Sequence, residues 1–411
     1  MELLLGGHFM ISIGFDVSKG SSTVCILKPF GEVVSTPFQV NHNTTELKAL
    51  LDKINSFDEE VRIVMEATGH YHLPILCFFQ EHGIFISLIN PMLMKKYANV
   101  TLRKGKTDKM DSIKIAKFGL DYWENLSCYH IEDDVYYELK LLSRQYFQFI
   151  TLRIKEKIML SNLLDQTMPN LDKFISSNTI NFERDKIVAF ANKYWHYDTI
   201  TKKSENNFLQ SYQKWAKKEG YQFNQEKASQ LYSHAKNSIT TLSSKITTTQ
   251  LVISEIAKTI FQTSKSLNII LARMQELAKS LPEYSVVRAL PGVGEKLAPK
   301  LIAEIGDIRH FHSSKALIAY AGIDAPPYQS GSFHGTNRKI SKRGSKYLRK
   351  IGYEVMKSIK TRVPTEDTAV YDFIIKKENQ GKAKKQAKIA GLNKFLRIYY
   401  ARVSEVLNQQ Q

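Results

Sequence analysis

Ile-Ser-Ile-Gly-Phe-Asp-Val-Ser-Lys-Gly-Ser-Ser-Thr-Val-Cys-Ile-Leu, residues 11–27, is the stretch to read first. Ile11, Ile13 and Phe15 alternate with smaller residues and stop at Asp16, as a strand with two different faces does. Gly20-Ser21-Ser22 then supplies a turn, Thr23–Leu27 a second strand, and Gly31 followed by Val33-Val34 a third. Three short strands joined by tight turns predict an antiparallel meander.

Working outward, Thr45–Asn55 fits a helix capped by Thr44 or Thr45, and Val61–Met65 is a compact buried strand ending at Glu66. Leu73–Glu81 reads as a helix, and Ile84–Ile89 as a further strand stopped by Asn90-Pro91. A meander followed by strand–helix alternation is the order of a ribonuclease-H-like sheet. From about residue 130 the pattern changes to long helices. Ile253, Ile256, Ile260, Thr263, Leu267, Ile270, Met274, Leu277 and Leu281 alternate spacings of three and four, which makes a coiled-coil seam. Leu139, Leu142, Tyr146 and Phe149 repeat the stripe more briefly. The seam serves equally a helical hairpin packed on itself and a dimer. Residues 170–245 are polar and aromatic, with no chemistry legible in them. Pro282 ends the long helix, a compact final domain follows, and beyond Pro364 lies a lysine-rich helical tail including Lys376-Lys377 and Lys382–Lys388. The expected fold class is α/β plus α. Residues 1–9 are an extension, 10–128 the sheet domain, 129–283 a helical coiled-coil spacer, 284–362 a small, mostly helical C-terminal domain and 363–411 the basic tail.

A chain of 411 residues is too long for one ordinary core. Its net charge of +18 makes polyanions the default partners, because neutralised phosphates release counterions. Membrane attachment ranks lower: no basic amphipathic anchor is placed for it and no apolar run approaches spanning length. Cys25, Cys77 and Cys128 are far apart and fit buried thiols in a reducing compartment. Met1-Glu2-Leu3-Leu4-Leu5 lacks the basic region and cleavage site of a secretory signal, so a cytoplasmic protein is expected.

Asp16 and Glu66 each terminate an apolar strand, and Asp108 and Asp111 form an i, i+3 pair on one helix face. In a ribonuclease-H-like sheet the first and fourth strands are neighbours, so Asp16 and Glu66 can converge. Four carboxylates suit a hard divalent cation, Mg²⁺ or Mn²⁺, and two such ions can clamp the attacking and leaving oxygens of a phosphodiester. The plain alternative is caps and solvated charges; Asp108, preceded by Thr107, can simply start a helix. Gly105-Lys106-Thr107 is no P-loop, because Val100 stands where that motif needs glycine. His70 and His72 flank Tyr71 and read as helix-start residues, not zinc ligands.

Leu290-Pro291-Gly292-Val293-Gly294 separates two short helical segments in the manner of a helix-hairpin-helix, where Gly292 and Gly294 let backbone N–H groups approach a phosphate. Downstream, residues 336–352 contain no acid at all and include Arg338, Lys339, Lys342, Arg343, Lys346, Arg349 and Lys350, a nucleic-acid contact surface. Ser330 lies beside this field in Tyr328-Gln329-Ser330-Gly331-Ser332; it is a nucleophile only if a base or metal from elsewhere activates it.

At this point the residues resemble a known family: insertion-sequence transposases with an Asp-Glu-Asp-Asp site and a C-terminal serine transposase domain, the bridge-RNA-guided recombinases. The resemblance covers Ile11 to about Leu120 and about Tyr284 to Ser358, and the tail is similar too. Its markers are residues 14–19, 65–69, 106–111, 291–294 and 340–344, five motifs in the correct order. It implies a RuvC-like N-terminal domain whose Asp16, Glu66, Asp108 and Asp111 hold the metal and act in catalysis. It also implies a loop serine that attacks a DNA phosphate through a transient phosphoserine. Ser330 matches by its distance from Ile340-Ser341-Lys342-Arg343-Gly344, with Ser332 as the alternative in a Ser-Gly-Ser loop. The family further implies a homodimer or homotetramer paired through the spacer, with serine and carboxylates from different subunits sharing a site. A structured guide RNA would pair with double-stranded donor and target DNA. The expected function is therefore metal-dependent, serine-mediated, RNA-guided strand exchange. The competing readings are a metal-dependent nuclease resembling a Holliday-junction resolvase, and a non-catalytic nucleic-acid-binding protein.

Overall fold

The computed structural model describes residues 10–67, 69–98, 107–129, 134–176, 182–326, 329–330, 333–334 and 339–409. The chain divides into two compact units, Met1–Ile131 and Glu132–Gln411.

In the first unit β1 (Met10–Val17), β2 (Ser21–Leu27) and β3 (Val33–Asn41) form the expected antiparallel meander. After α1 (Thr44–Asn55), β4 (Glu60–Glu66) returns parallel to β1. After α2 (Leu73–Glu81), β5 (Phe85–Ile89) adds parallel to β4. The sheet order is β3-β2-β1-β4-β5, so β1 is central. Two details differ from the sequence reading. Asn43 caps α1, its side chain accepting the Glu46 N–H at 2.9 Å, because Thr44 is already helical. Asn90-Pro91 also starts a helix, α3 (Pro91–Ala98), with the Asn90 side chain accepting the Met92 N–H and proline at the first helical position.

The strand pleat sorts β1 into two faces. Ile11, Ile13 and Phe15 enter one core with Leu47 and Leu50 of α1 and Ile75 and Phe79 of α2. Ser12 and Gly14 point the other way, under α4 (Asp108–Asp121). A methyl group at Gly14 would overlap the backbone of Ser112 and Ala116, and one at Gly119 would overlap the Ser12 hydroxyl. Two glycines thus let the helix lie directly on the strand. They also fix its direction: Gly119 sits over Ser12 and Ser112 over Gly14, so α4 runs antiparallel to β1.

The second unit begins with α5 (Asp134–Thr167), 34 residues long. An insertion of four short helices follows: α6 (Lys186–Lys193), α7 (Tyr197–Thr201), α8 (Glu205–Lys218) and α9 (Gln225–Asn237). The return is α10 (Thr247–Lys279). Its seam, from Ile253 to Met274, is filled by α5 of the same chain. Thr263 donates to Glu156 at 3.0 Å, Arg153 donates to Ser264 at 2.9 Å, and Leu139, Tyr146 and Phe147 share a core with Leu267 and Met274. Of the two arrangements open in the sequence, the structure holds the helical hairpin.

Beyond it lie α11 (Tyr284–Ala289), α12 (Gly294–Ile305) and α13 (Ser314–Ala321), the short antiparallel pair β6 (Gln329–Ser330) and β7 (Phe333–His334), then α14 (Lys346–Thr361), α15 (Ala369–Asn379) and α16 (Lys384–Asn408). One core runs from Tyr136 of α5 to Leu407 of α16. The insertion shares a second core with Leu160 and Leu164 of α5 and Ile253, Ile256 and Ile260 of α10, and seven aromatic residues from Phe190 to Trp215 pack into it.

Candidate functional site

The β1–β4 register pairs Phe15 with Met65, which makes Asp16 and Glu66 the next rung at the carboxyl ends of two parallel neighbours. α4 descends antiparallel over β1, so its first turn, carrying Asp108 and Asp111, lies toward that same end. Thr107 caps the helix by accepting the Met110 N–H at 3.2 Å, and acidic groups in a first turn favour the helix dipole. All four predicted carboxylates therefore come to one end of the sheet, and Asp16, Glu66 and Asp111 are half-buried there while Asp108 is exposed.

Their side chains are not drawn into a cluster. Among the described residues no group of three or more His, Cys, Asp or Glu is arranged to hold a metal ion. Asp111 instead pairs with Lys114 at 3.0 Å, one turn along α4. That pairing is local, since a lysine three residues along the helix brings its ammonium to the same face as Asp111. The donor chemistry and backbone placement suit a hard divalent cation; the present rotamers do not close around one. Lys114 was missed in the sequence, although its i, i+3 spacing from Asp111 is a readable signal.

In the second unit the Leu290–Val293 turn joins α11 to α12. Gly292 has φ +77°, and a methyl group there would overlap the Ile359 side chain of α14. Gly292 therefore permits close helix packing, and Gly294, at φ +60°, faces open space. Arg349 is likewise engaged inside the fold, donating at 2.9 Å to the carbonyls of Ala321 and Gly344. Lys339, Lys342, Arg343, Lys346 and Lys350 are exposed. Ser330 pairs with Phe333 across the β6–β7 ladder. Ser332 and Arg338 lie outside the described residues.

The Ile340–Gly344 motif is held from behind. Lys342 N–H donates to the Gly322 carbonyl at 2.9 Å, and a methyl at Gly344 would overlap the Tyr320 carbonyl. Ser345 caps α14 by accepting the Leu348 N–H at 3.1 Å and also reaches Glu304 at 3.3 Å. Glu304 is fully buried, accepts from Ser143 at 3.1 Å and pairs with Arg144 at 2.9 Å. Burial pushes its carboxyl up, and Arg144, the largest opposing influence, draws it down. Glu304 thus ties α5, α12 and α14 together beneath the basic motif. Sequence reasoning passed over it, since nothing local marks a glutamate that will be buried.

Two family models match the chain. One, a transposase model bearing the DEDD name of the IS110 elements, matches residues 13–169; the other, described as "Transposase IS116/IS110/IS902 family", matches residues 284–372. Neither description mentions a serine. The chain is similar to the "Pilin gene-inverting protein" of Moraxella bovis, 23% identical over 95% of this chain and 94% of that one. The protein of the same name from Moraxella lacunata is 24% identical over the same shares. A 43.6 kDa protein of insertion element IS110 from Streptomyces coelicolor is 20% identical over 79% of this chain and 78% of its own length. With both models in the order that the five motifs required, the chain belongs to the IS110 family of transposases.

Proposed function

We propose that this transposase exchanges DNA strands by serine transesterification, assisted by a divalent cation. Asp16, Glu66, Asp108 and Asp111 would hold Mg²⁺ or Mn²⁺, which when bound draws charge from the phosphate oxygens. For Asp111 to contribute, its carboxylate must leave Lys114, a rotamer change within one helical turn. In the exchange the Ser330 Oγ forms a bond to phosphorus and a phosphorus–sugar-oxygen bond breaks. The serine proton ends on the released sugar hydroxyl, and one ester replaces another, so rejoining needs no outside energy source. The observation that carries this reading is that Asp16 and Glu66 directly follow the last β1–β4 pair, Phe15 and Met65, at the end of the sheet toward which the first turn of α4 lies.

The partners are double-stranded donor and target DNA and a structured guide RNA, for which the charge of +18 and the exposed cations around Lys342–Lys346 are suited. Assembly as a homodimer or homotetramer is supported by Ile154, Ile158 and Met159 on α5 and Leu251 and Ile269 on α10, each more than half exposed. The Moraxella relatives are named for inverting a pilin gene and other relatives for insertion sequences. Moving an insertion sequence is the reading this chain shares with the second group. No described helix is long and apolar enough to cross a membrane.

The test incubates the protein with RNA co-purified from expressing cells, cognate DNA and Mg²⁺. Wild type should give a covalent protein–DNA adduct mapping to Ser330; Ser330→Ala should give neither adduct nor exchange, and Asp16→Ala or Glu66→Ala should abolish processing. Cleavage that persists in Ser330→Ala would make water the attacking group. Processing that survives Asp16→Ala and Glu66→Ala would leave only a nucleic-acid-binding protein.

A further inference from the structure

The insertion between α5 and α10 lies outside both family models, which stop at residue 169 and resume at 284. It is nevertheless a well-packed body, with Phe190, Tyr194, Phe208, Tyr212 and Trp215 in ring contact. A cleft of about 560 Å³ opens in its side, within the range of small-ligand pockets. Three cations line it, Arg184, Lys186 and Lys227, together with the rings of Tyr212 and Tyr221 and the amide side chain of Asn224. No aspartate or glutamate is among the described lining residues.

The cations are held in place by neutral groups. Lys186 Nζ donates to the Gln222 carbonyl at 2.5 Å and sits 5.4 Å from the centre of the Tyr212 ring. Arg184 donates to the carbonyls of Glu219 and Gly220 and lies 6.0 Å from the Tyr221 ring. The nearest carboxylates are otherwise placed. Asp185 is buried against Arg153 and Lys157, at 3.1 and 2.7 Å, and both Glu219 and Asp185 act on Tyr221 from outside the lining. Burial, and then the neighbouring Lys227, hold the Lys186 ammonium below the usual lysine range. Like charges lining a half-enclosed space, with no carboxylate among the described lining residues, favour an anion. Rings and an amide beside them favour a flat heterocycle attached to it.

We propose that this cleft binds a nucleotide: a phosphate on Arg184, Lys186 and Lys227, with its base against Tyr221 and Tyr212. The nucleotide is either free or an unstacked unit of a single-stranded nucleic acid. The assignment does not depend on the strand-exchange reading, because no group of the carboxylate site or the Ser330 hairpin takes part in it.

Trp215 supplies the readout, since its ring lies 5.4 Å from Tyr221 and 5.8 Å from Tyr212. The full chain, in 150 mM salt, is titrated with AMP, adenosine, inorganic phosphate and a 5′-phosphorylated pentanucleotide, following tryptophan fluorescence and calorimetric heat. AMP and the pentanucleotide should bind at least tenfold more tightly than adenosine or phosphate. Lys186→Gln combined with Lys227→Gln should weaken both at least tenfold, and Tyr221→Leu should weaken AMP without changing phosphate. Lys202→Gln, an exposed lysine of the same insertion that does not line the cleft, should change neither. A pentanucleotide bound more tightly than AMP identifies a strand as the source, and equal affinity a free nucleotide. The proposal is overturned by phosphate binding as tightly as AMP, by millimolar AMP and pentanucleotide without effect, or by binding that the cleft variants leave unchanged while their melting curves match wild type.

Discussion

Gly14 has no side chain on the face that α4 covers, and this absence sets where Asp108 and Asp111 can stand. Gly14→Ala should force the helix off the strand, costing about 1–3 kcal/mol or more in urea unfolding, as overpacking of a tight contact does. An unchanged midpoint would show that α4 is not seated as described. Lys300 gives the pH-dependent counterpart. Burial lowers its ammonium to about 8 from an ordinary 10.5, with the Nζ 4.0 Å from the centre of the Tyr146 ring. The unfolded chain therefore binds more protons between those values, so stability should rise as pH climbs from about 8 to 10.5, and the burial cost is fully present below that window. Lys300→Met should stabilise the protein at pH 7 by about 1–3 kcal/mol and flatten the rise. Destabilisation at pH 7 would mean that the contact with Tyr146 outweighs desolvation. That Asp16 and Glu66 stand at the ends of apolar strands was legible in the sequence. Lys300, Glu304 and the packing role of Gly292 were not, because the residues that bury them are distant in sequence.

At the scale of elements, Arg153 holds three pieces together. It donates from α5 to Ser264 of α10 at 2.9 Å and to Asp185, at the start of α6, at 3.1 Å. Asp185→Ala should cost about 3–5 kcal/mol, because it leaves a buried guanidinium without its carboxylate. Limited proteolysis should then cut first within the α6–α9 insertion. A loss below 1 kcal/mol would show that the insertion is anchored elsewhere. The five strands and α2 could be read from period and turn chemistry, since each has a local pattern of its own. The seam of α10 was equally plain, yet a seam states only that a partner helix exists, and α5 of the same chain meets that need. The insertion was opaque because its helices are short and polar on their outer faces, and its core closes only when residues of α5 and α10, distant in sequence, pack against them.

For the whole molecule, the charge of +18 turns into affinity wherever cations stand free to meet phosphate. Lys342, Arg343 and Lys346 are exposed, whereas Arg349 is bound to backbone carbonyls. Replacing the first three by alanine should lower the slope of log affinity against log salt by about 2–3 on duplex DNA, one phosphate contact each. An undiminished slope would move the contact surface elsewhere. The chain divides at Ile131 and Glu132, close to where the pattern changes from strands to long helices, and one core runs from Tyr136 to Leu407. The central claim is that Asp16, Glu66, Asp108 and Asp111, gathered at one end of the sheet, take up a divalent cation. Mn²⁺ titration followed by electron paramagnetic resonance, with duplex DNA present, tests it most directly. Wild type should take up Mn²⁺ in competition with Mg²⁺, and Asp16→Asn with Glu66→Gln should lose that uptake without loss of fold. Equal uptake by wild type and the double variant, or none by either, would contradict the account.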